Sequence, residues 1–400
     1  MPPFAPFRGI RFDLTSRDPR SVTAPPYDVI SPEQRRALVA DSDESIVRID
    51  LPIVDPDHPE DDPYRAAAAL FEQWRRTGVL LDDERPSFTV YRMIALGEDG
   101  SERQTTGVIG ALQLSAPDEG HILCHEFTTP KARSDRLDLL AATDANLSPI
   151  WGLSPVTGLT DLLATDDPPL MDFEVDGVRH TVWTITEPER LASISASVGA
   201  GPIVIADGHH RYETSLAHRD RIRRERGGST GAEAVMCFVV ELVAEQLSVE
   251  PIHRLVSGLD PATDLLARLE EFFEIEPFPA PSTGVVAALQ AAGALALITP
   301  EREVLLRPRP ERFTETRDLD SSRLDLALGA LGDVDVVYQH GVEEVRDAVA
   351  TGAASFGVLL RPVTIEQILA IADGGERMPP KSTFFAPKPR TGVVLRSLRD

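Results

Sequence analysis

Twelve consecutive residues, Pro202-Ile203-Val204-Ile205-Ala206-Asp207-Gly208-His209-His210-Arg211-Tyr212-Glu213, limit the possible folds more than any other stretch of this chain. Ile203, Val204 and Ile205 suit a strand buried on both faces. Gly208 supplies a tight turn that a residue with a Cβ resists. From His210 onward, Glu213, Thr214, Ser215, Leu216 and Ala217 continue as helix. A helix that starts directly behind a strand aims unpaired N–H groups and a positive dipole end at one point. That geometry receives an anion, most often a phosphate. Asp207, His209, His210, Arg211 and Glu213 share the turn, so acid, base and anion clamp fall within seven residues. A solvated loop with a capped helix accounts for any one of them; all five behind a buried strand favour a site.

Length and charge narrow the setting. At 400 residues the chain is long enough for two domains with substantial cores. A net charge of −24 repels DNA and anionic lipid, so neither nucleic acid nor membrane is an expected partner. Cys124 and Cys237 alone make neither a disulfide framework nor a cysteine-rich zinc pattern. No apolar run reaches the roughly 18–20 residues of a membrane span. The start, Met-Pro-Pro-Phe-Ala-Pro, lacks the basic end and apolar core of a signal peptide. The expected location is cytoplasmic.

Along the chain, Ala24-Pro25-Pro26-Tyr27-Asp28 fixes Tyr27 and Asp28 in an extended presentation. Ser31-Pro32-Glu33-Gln34 carries a capping box. Asp62-Pro63 opens a helix that buries Tyr64, Ala67, Ala68, Phe71 and Trp74 and stops at Gly78. Strands are expected over 88–96 and 106–114, joined by a turn at 98–101. Thr129-Pro130 starts a helix with Leu137, Leu140 and Ala141 inward. Strands over 171–175 and 178–185 are joined by Asp176-Gly177, and another spans 234–243, with Cys237 a small core residue. Beyond Pro261, helices over 261–273, 283–292, 319–331, 342–350 and 364–373 alternate with strands over 294–298, 303–307, 334–338 and 355–360.

Two more segments carry chemistry. His125-Glu126 is followed by Lys131, Arg136 and Asn146, an acid and then two cations; a weak surface ion pair is the plain alternative. Residues 376–400 hold six Lys/Arg against Glu376 and Asp400. There Lys381, Ser382, Thr383, Lys388 and Arg390 resemble a second anion-binding loop, and the interleaved Met378, Phe384 and Phe385 argue against a solvated tail.

The segments Ala24–Ile30, His125–Asn146, Ala206–Glu213 and Met378–Phe385, in this order, resemble the signatures of a conserved prokaryotic family, domain-of-unknown-function family 1015. That family name carries no activity. The Asp-Gly-His-His-Arg turn is also similar to the nucleotide-binding turn of the ParB/sulfiredoxin-like superfamily, which includes a kinase of free serine. This second resemblance implies that Gly208, His209, His210 and Arg211 cradle nucleotide phosphates. Sulfiredoxins place a reactive Cys where His209 and His210 stand, and ParB proteins need a DNA-binding helix-turn-helix, so the kinase branch fits best. The expected fold is α/β (mixed α+β), with a ParB/sulfiredoxin-like central segment in a two-domain chain, 1–155 and 156–400.

The expected function is transfer of a nucleotide phosphate to a small hydroxyl metabolite such as serine, using ATP or ADP (or CTP) and Mg²⁺. Glu126, Asp207, His209 and Glu213 are the catalytic candidates, with Glu126 as proton acceptor and Asp207 as magnesium ligand. Gly208, His210, Arg211, Lys381, Ser382, Thr383, Lys388 and Arg390 are the phosphate binders. Tyr27, Asp28, Lys131, Arg136 and Asn146 face the substrate. No Gly-x-x-x-x-Gly-Lys-[Ser/Thr] loop is present. The alternatives are a nucleotide-binding or nucleotide-hydrolysing regulator acting through a protein partner, and a metal-assisted hydrolase using His125, His209, His210 and His253. Oligomeric state is left open.

Overall fold

The computed structural model describes the chain except residues 1, 55–61, 97–101, 117–118, 125–129, 228–229, 261, 280, 282, 374–377, 379–382 and 400, and the side chains of 130–134, 226, 244, 248, 369 and 371–373. The architecture is mixed α/β, as the residue pattern implies. Two compact units form. The first is built from Met1–Cys124, Thr128–Ser248 and Pro387–Asp400, the second principally from Val249–Ala386. The division expected near residue 155 falls inside the first unit. There the strand Ile150–Ser154 lies in the middle of a large sheet, between Ile203–Asp207 and Ala234–Glu241.

Among the described residues that sheet has nine strands, and it is mixed. Ile203–Asp207 runs parallel to Ile122–Leu123 and antiparallel to Ile150–Ser154. Phe88–Leu96 pairs antiparallel with Glu102–Gln113, which starts four residues earlier than the β-branched run at Thr105-Thr106 suggests. The connecting turn lies outside the described residues. Met171–Val175 and Val178–Ile185 form the expected hairpin. Its corner is Asp176 at φ 53° and Gly177 at φ 72°, the positive pair that a two-residue hairpin turn needs. Ile203, Ile205, Val239, Ile150 and Phe88 meet in one apolar cluster, with Cys237 fully buried beside them.

The Ser31–Gln34 capping box forms and starts the helix Pro32–Asp41. The helix Pro63–Thr77 ends on Gly78 at φ 78°. It buries Ala67, Phe71 and Trp74 and leaves Tyr64 and Ala68 half-buried at the edge of its stripe. A four-stranded sheet holds Leu80–Asp82, Gly9–Phe12, Leu395–Ser397 and Ala145–Asn146 side by side. It ties the C-terminal segment back to the N-terminus.

The second unit has a six-stranded sheet whose pairings are all antiparallel among the described residues. Most expected elements are present there within two or three residues. The helix expected over 261–273 is reduced to Leu265–Leu269, because Phe273 opens the strand Phe273–Pro277 and turns inward against Phe313. The strand His253–Ser257 and the helix Pro188–Val198 form where the sequence carries no strong signal for them.

Candidate functional site

The strand Ile203–Asp207 delivers Asp207 to the sheet edge, Gly208 turns at φ 93°, and the helix His209–Arg226 begins at once. A Cβ on Gly208 would stand 3.0 Å from Ile150 Cγ2 and 3.1 Å from Arg211 Nε and Nη2. Glycine is therefore demanded twice, by backbone conformation and by the guanidinium it makes room for. The helix has no side-chain cap and no acidic residue in its first turn.

Asp207 is held from two sides. Lys388 Nζ donates to its Oδ1 at 2.6 Å, and Arg211 Nη2 donates to its Oδ2 at 2.5 Å. Lys388 also donates to Asp28 Oδ2 at 2.7 Å, although 360 residues separate the two in sequence. Burial alone would push the Asp207 carboxyl up. Lys388 and Arg211, helped by nearby His209, outweigh it and hold the carboxyl well below the usual carboxylate range. Burial likewise disfavours the Lys388 ammonium, and Asp207 with Asp28 more than restores it. Asp207, Lys388 and Arg211 are thus charged at neutral pH.

Arg211 also donates through Nη1 to Pro149 O (2.5 Å) and Ser148 Oγ (3.1 Å). Beyond it lies a pocket lined by Asp50, Arg136, Asn146, Ser148, Arg211 and Thr214 on its polar side. Arg136 is buried, donates to Asp50 Oδ1 at 3.1 Å and to Asp50 O at 2.6 Å, and packs 4.1 Å over the Tyr27 ring. Burial pushes the Tyr27 phenol up, against the pull of Arg211 and Arg136. Tyr27, Asp28, Arg136, Asp207, Arg211 and Lys388, drawn from four distant segments, belong to one neighbourhood.

The remaining candidates have other partners or lie outside the described residues. Arg390 is buried and gives its guanidinium to Thr23, through Oγ1 and O at 2.9 Å each. It pins the C-terminal segment next to the Ala24–Thr391 bridge, and that pairing sets Lys388 against Asp28. The Asn146 oxygen accepts from Met236 N at 2.9 Å and from Arg396, so it braces the sheet while lining the pocket. His209 is buried, whereas His210 and Glu213 are half-buried. Thr383 is buried in the second unit. Glu126, Lys381 and Ser382 lie outside the described residues, as does the Lys131 side chain. Among the described residues, no group of three or more His, Cys, Asp or Glu is arranged to hold a metal ion.

Asp50, Ser148 and Thr214 also line the pocket beyond Arg211, and no motif in the sequence marks them. The one signal for Asp50 is an acid between Ile49 and Leu51 in a largely apolar stretch; Ser148 and Thr214 carry none.

A family model described as "Protein of unknown function (DUF1015)" matches residues 4–326. The chain belongs to this family. No curated protein matches it in sequence. Among solved structures it is similar to a free serine kinase in complex with AMP, at 15% identity and a TM-score of 0.40, over 73% of this chain and 91% of that one. It is also similar to a conserved hypothetical protein from Pyrococcus furiosus, at 14% identity and TM-score 0.37, over 70% and 90%. A third is SbnI with a C-terminal truncation from Staphylococcus aureus, at 14% identity and TM-score 0.40, over 70% and 84%. Among the described residues, no helix is long and apolar enough to cross a membrane.

Proposed function

We propose that this protein is a nucleotide-dependent phosphotransferase that phosphorylates a small hydroxyl metabolite, with ATP or ADP as the first candidates for donor and CTP as a further one. The observation that supports it is the uncapped helix start behind Gly208, with Arg211 and Lys388 both held on Asp207 in front of it. Phosphoryl transfer needs positioning and charge neutralisation more than covalent help from the protein. Arg211, Lys388 and the helix N–H groups supply both. Asp207 and Asp28 keep the two cations charged and in place while no anion is bound.

In the reaction, the acceptor oxygen bonds to the terminal phosphorus as the bond from that phosphorus to the nucleotide oxygen breaks. The hydroxyl proton passes to a carboxylate, a role assigned to Glu126. Mg²⁺ needs one or two carboxylates alongside the phosphates. Asp207 and Asp28 fit that role once Lys388 and Arg211 turn towards phosphate; the ion's contribution is to neutralise charge on the transferring group.

The test is a thermal-shift series with ATP, ADP and CTP plus Mg²⁺ on the wild type and on Arg211→Ala, followed by product detection with hydroxyl compounds including serine. A nucleotide at 100 times its Kd stabilises by about 2.7 kcal/mol. The expected result is a shift in the wild type that Arg211→Ala abolishes, and phosphorylated product that Glu126→Gln suppresses without loss of the shift. Absence of any shift in the wild type would sink the proposal.

A further inference from the structure

The six-stranded sheet of the second unit ends in two different ways. Phe273–Pro277 lies at one edge and Asp335–Gln339 at the other, and among the described residues each has a neighbouring strand on one side only. An open strand edge is a template for another strand, and natural proteins guard it with charge or proline. Phe273–Pro277 is guarded: it carries Glu274 and Glu276, and Pro277 has no N–H to give. In the first unit, the edge strand Met171–Val175 of the large sheet carries Asp172 and Glu174 at the same two positions. Asp335-Val336-Val337-Tyr338-Gln339 has neither device, and its single charge stands at the first residue. Val337 is 57% exposed and Tyr338 44%, and the buried Arg254 guanidinium packs 4.4 Å from the Tyr338 ring.

We infer that this edge pairs with the same edge of a second copy of the chain, antiparallel, with the two-fold axis at Val337. Directly opposed residues in an antiparallel pair share a face, so a two-fold through the middle residue fixes every other partner. Val337 meets Val337. Val336 meets Tyr338 on both sides of the axis, and a β-branched residue against an aromatic one is a favourable cross-strand pair. Asp335 meets Gln339, whose amide donates to His340 O at 2.8 Å and has a second N–H to offer the carboxylate. No like charges face each other, which matters in a chain of net charge −24. The same operation on the guarded edges sets Glu274 against Glu276 and Asp172 against Glu174, and those registers repel. Of these three edges Asp335–Gln339 is the self-complementary one, and that selects a second copy over an unrelated strand. Five residues a side bury less than a standard interface, so the dimer is reversible and forms with rising concentration.

The test is sedimentation velocity on the full chain over a concentration series. The samples are the wild type, Val337→Lys, Val337→Asp, an equimolar mixture of those two variants, and Leu96→Lys. Leu96 is 73% exposed in the first unit and serves as the apolar control. The wild type and Leu96→Lys are expected to dimerise alike. Each Val337 variant alone should dimerise at least about tenfold more weakly, because like charges then meet at the axis. The mixture should recover the dimer, because lysine then meets aspartate. Circular dichroism confirms that the variants fold. A monomeric wild type overturns the inference and leaves the edge to a strand of a different protein. A dimer that Val337→Lys leaves intact, a mixture that stays monomeric, or equal dissociation by Leu96→Lys overturns it as well. Val337 makes no contact with the cations on Asp207, so the nucleotide thermal shift is scored on the same samples and the two readings stand or fall separately.

Discussion

Asp207 in the first unit and Asp320 in the second are both buried or nearly so, both stand at a helix start, and both hold an arginine. Their surroundings differ in what the carboxylate does for the helix. Asp320 lies in the first turn of the helix Asp320–Gly329 and accepts the backbone N–H of Arg361 at 3.0 Å as well as its Nε and Nη2. Its negative charge sits where the dipole favours it, and its backbone partner cannot turn away. Asp207 precedes its helix by two residues, and both cations on it are side chains. Lys388 and Arg211 reach Asp207 through rotatable side chains, whereas one donor on Asp320 is a backbone N–H. In the function we propose, that difference makes the Asp207 pairs exchangeable and the Asp320 pairs structural.

The most severe test of that contrast is Asp207→Asn. It leaves Lys388 and Arg211 without their shared carboxylate, and breaking a buried pair costs about 3–5 kcal/mol. We expect about 3 kcal/mol by urea unfolding, the low end, because the Asp207 side chain keeps 20% of its surface exposed. Inorganic phosphate should then stabilise Asp207→Asn more than the wild type, since the freed cations gain an anion. Asp320→Asn should show no such rescue. Equal phosphate response in the two variants would erase the distinction.

Each unit also buries a neutral histidine away from its carboxylate cluster. Burial holds His180 down to about 3, beside the Tyr91 hydroxyl at 2.8 Å, and His253 down to about 4, where it accepts from Leu360 N at 3.1 Å. Below the ordinary value near 6.5, the unfolded chain binds protons that these native imidazoles refuse, so stability falls as pH drops from 6.5 towards 4. Each should contribute about 2–3 kcal/mol to that loss. His180→Gln and His253→Gln, unfolded at pH 7 and pH 4.5, should show a shallower pH dependence than the wild type. An unchanged slope would mean that other groups carry the acid sensitivity.

Gly208→Ala sharpens the comparison from the backbone side. The left-handed conformation costs a residue with a Cβ about 1–2 kcal/mol. The added carbon also crowds Arg211, so the nucleotide-dependent thermal shift should disappear while the fold persists. A retained shift would separate Arg211 from nucleotide binding. The smallest effect is expected at the exposed Arg307–Glu276 pair of the second unit, where Glu276→Gln should leave the unfolding midpoint within experimental error.

Local chemistry wrote part of this site into the chain. The run Ile203-Val204-Ile205, the acid, the glycine and the arginine four residues after Asp207 determine strand, turn and ion pair together, because each is a short-range preference. The Ser31–Gln34 capping box and the Asp176-Gly177 hairpin were readable for the same reason. Arg390 shows the limit. Its setting in a basic loop suggested an anion clamp, yet its guanidinium donates to Thr23 Oγ1 and O, which offset the cost of burying the charge. Asp50 could not be recognised as the partner of Arg136 from an 86-residue separation. Nor could Lys388 be assigned to Asp28, since only the Ala24–Thr391 pairing brings the two ends of the chain together. The sequence by itself determined the mixed α/β class and the charged turn, through interactions a few residues long. Which distant side chains complete that turn was decided by strand pairing and burial, which join segments by shape and hydrogen bonding and leave no local periodicity to read.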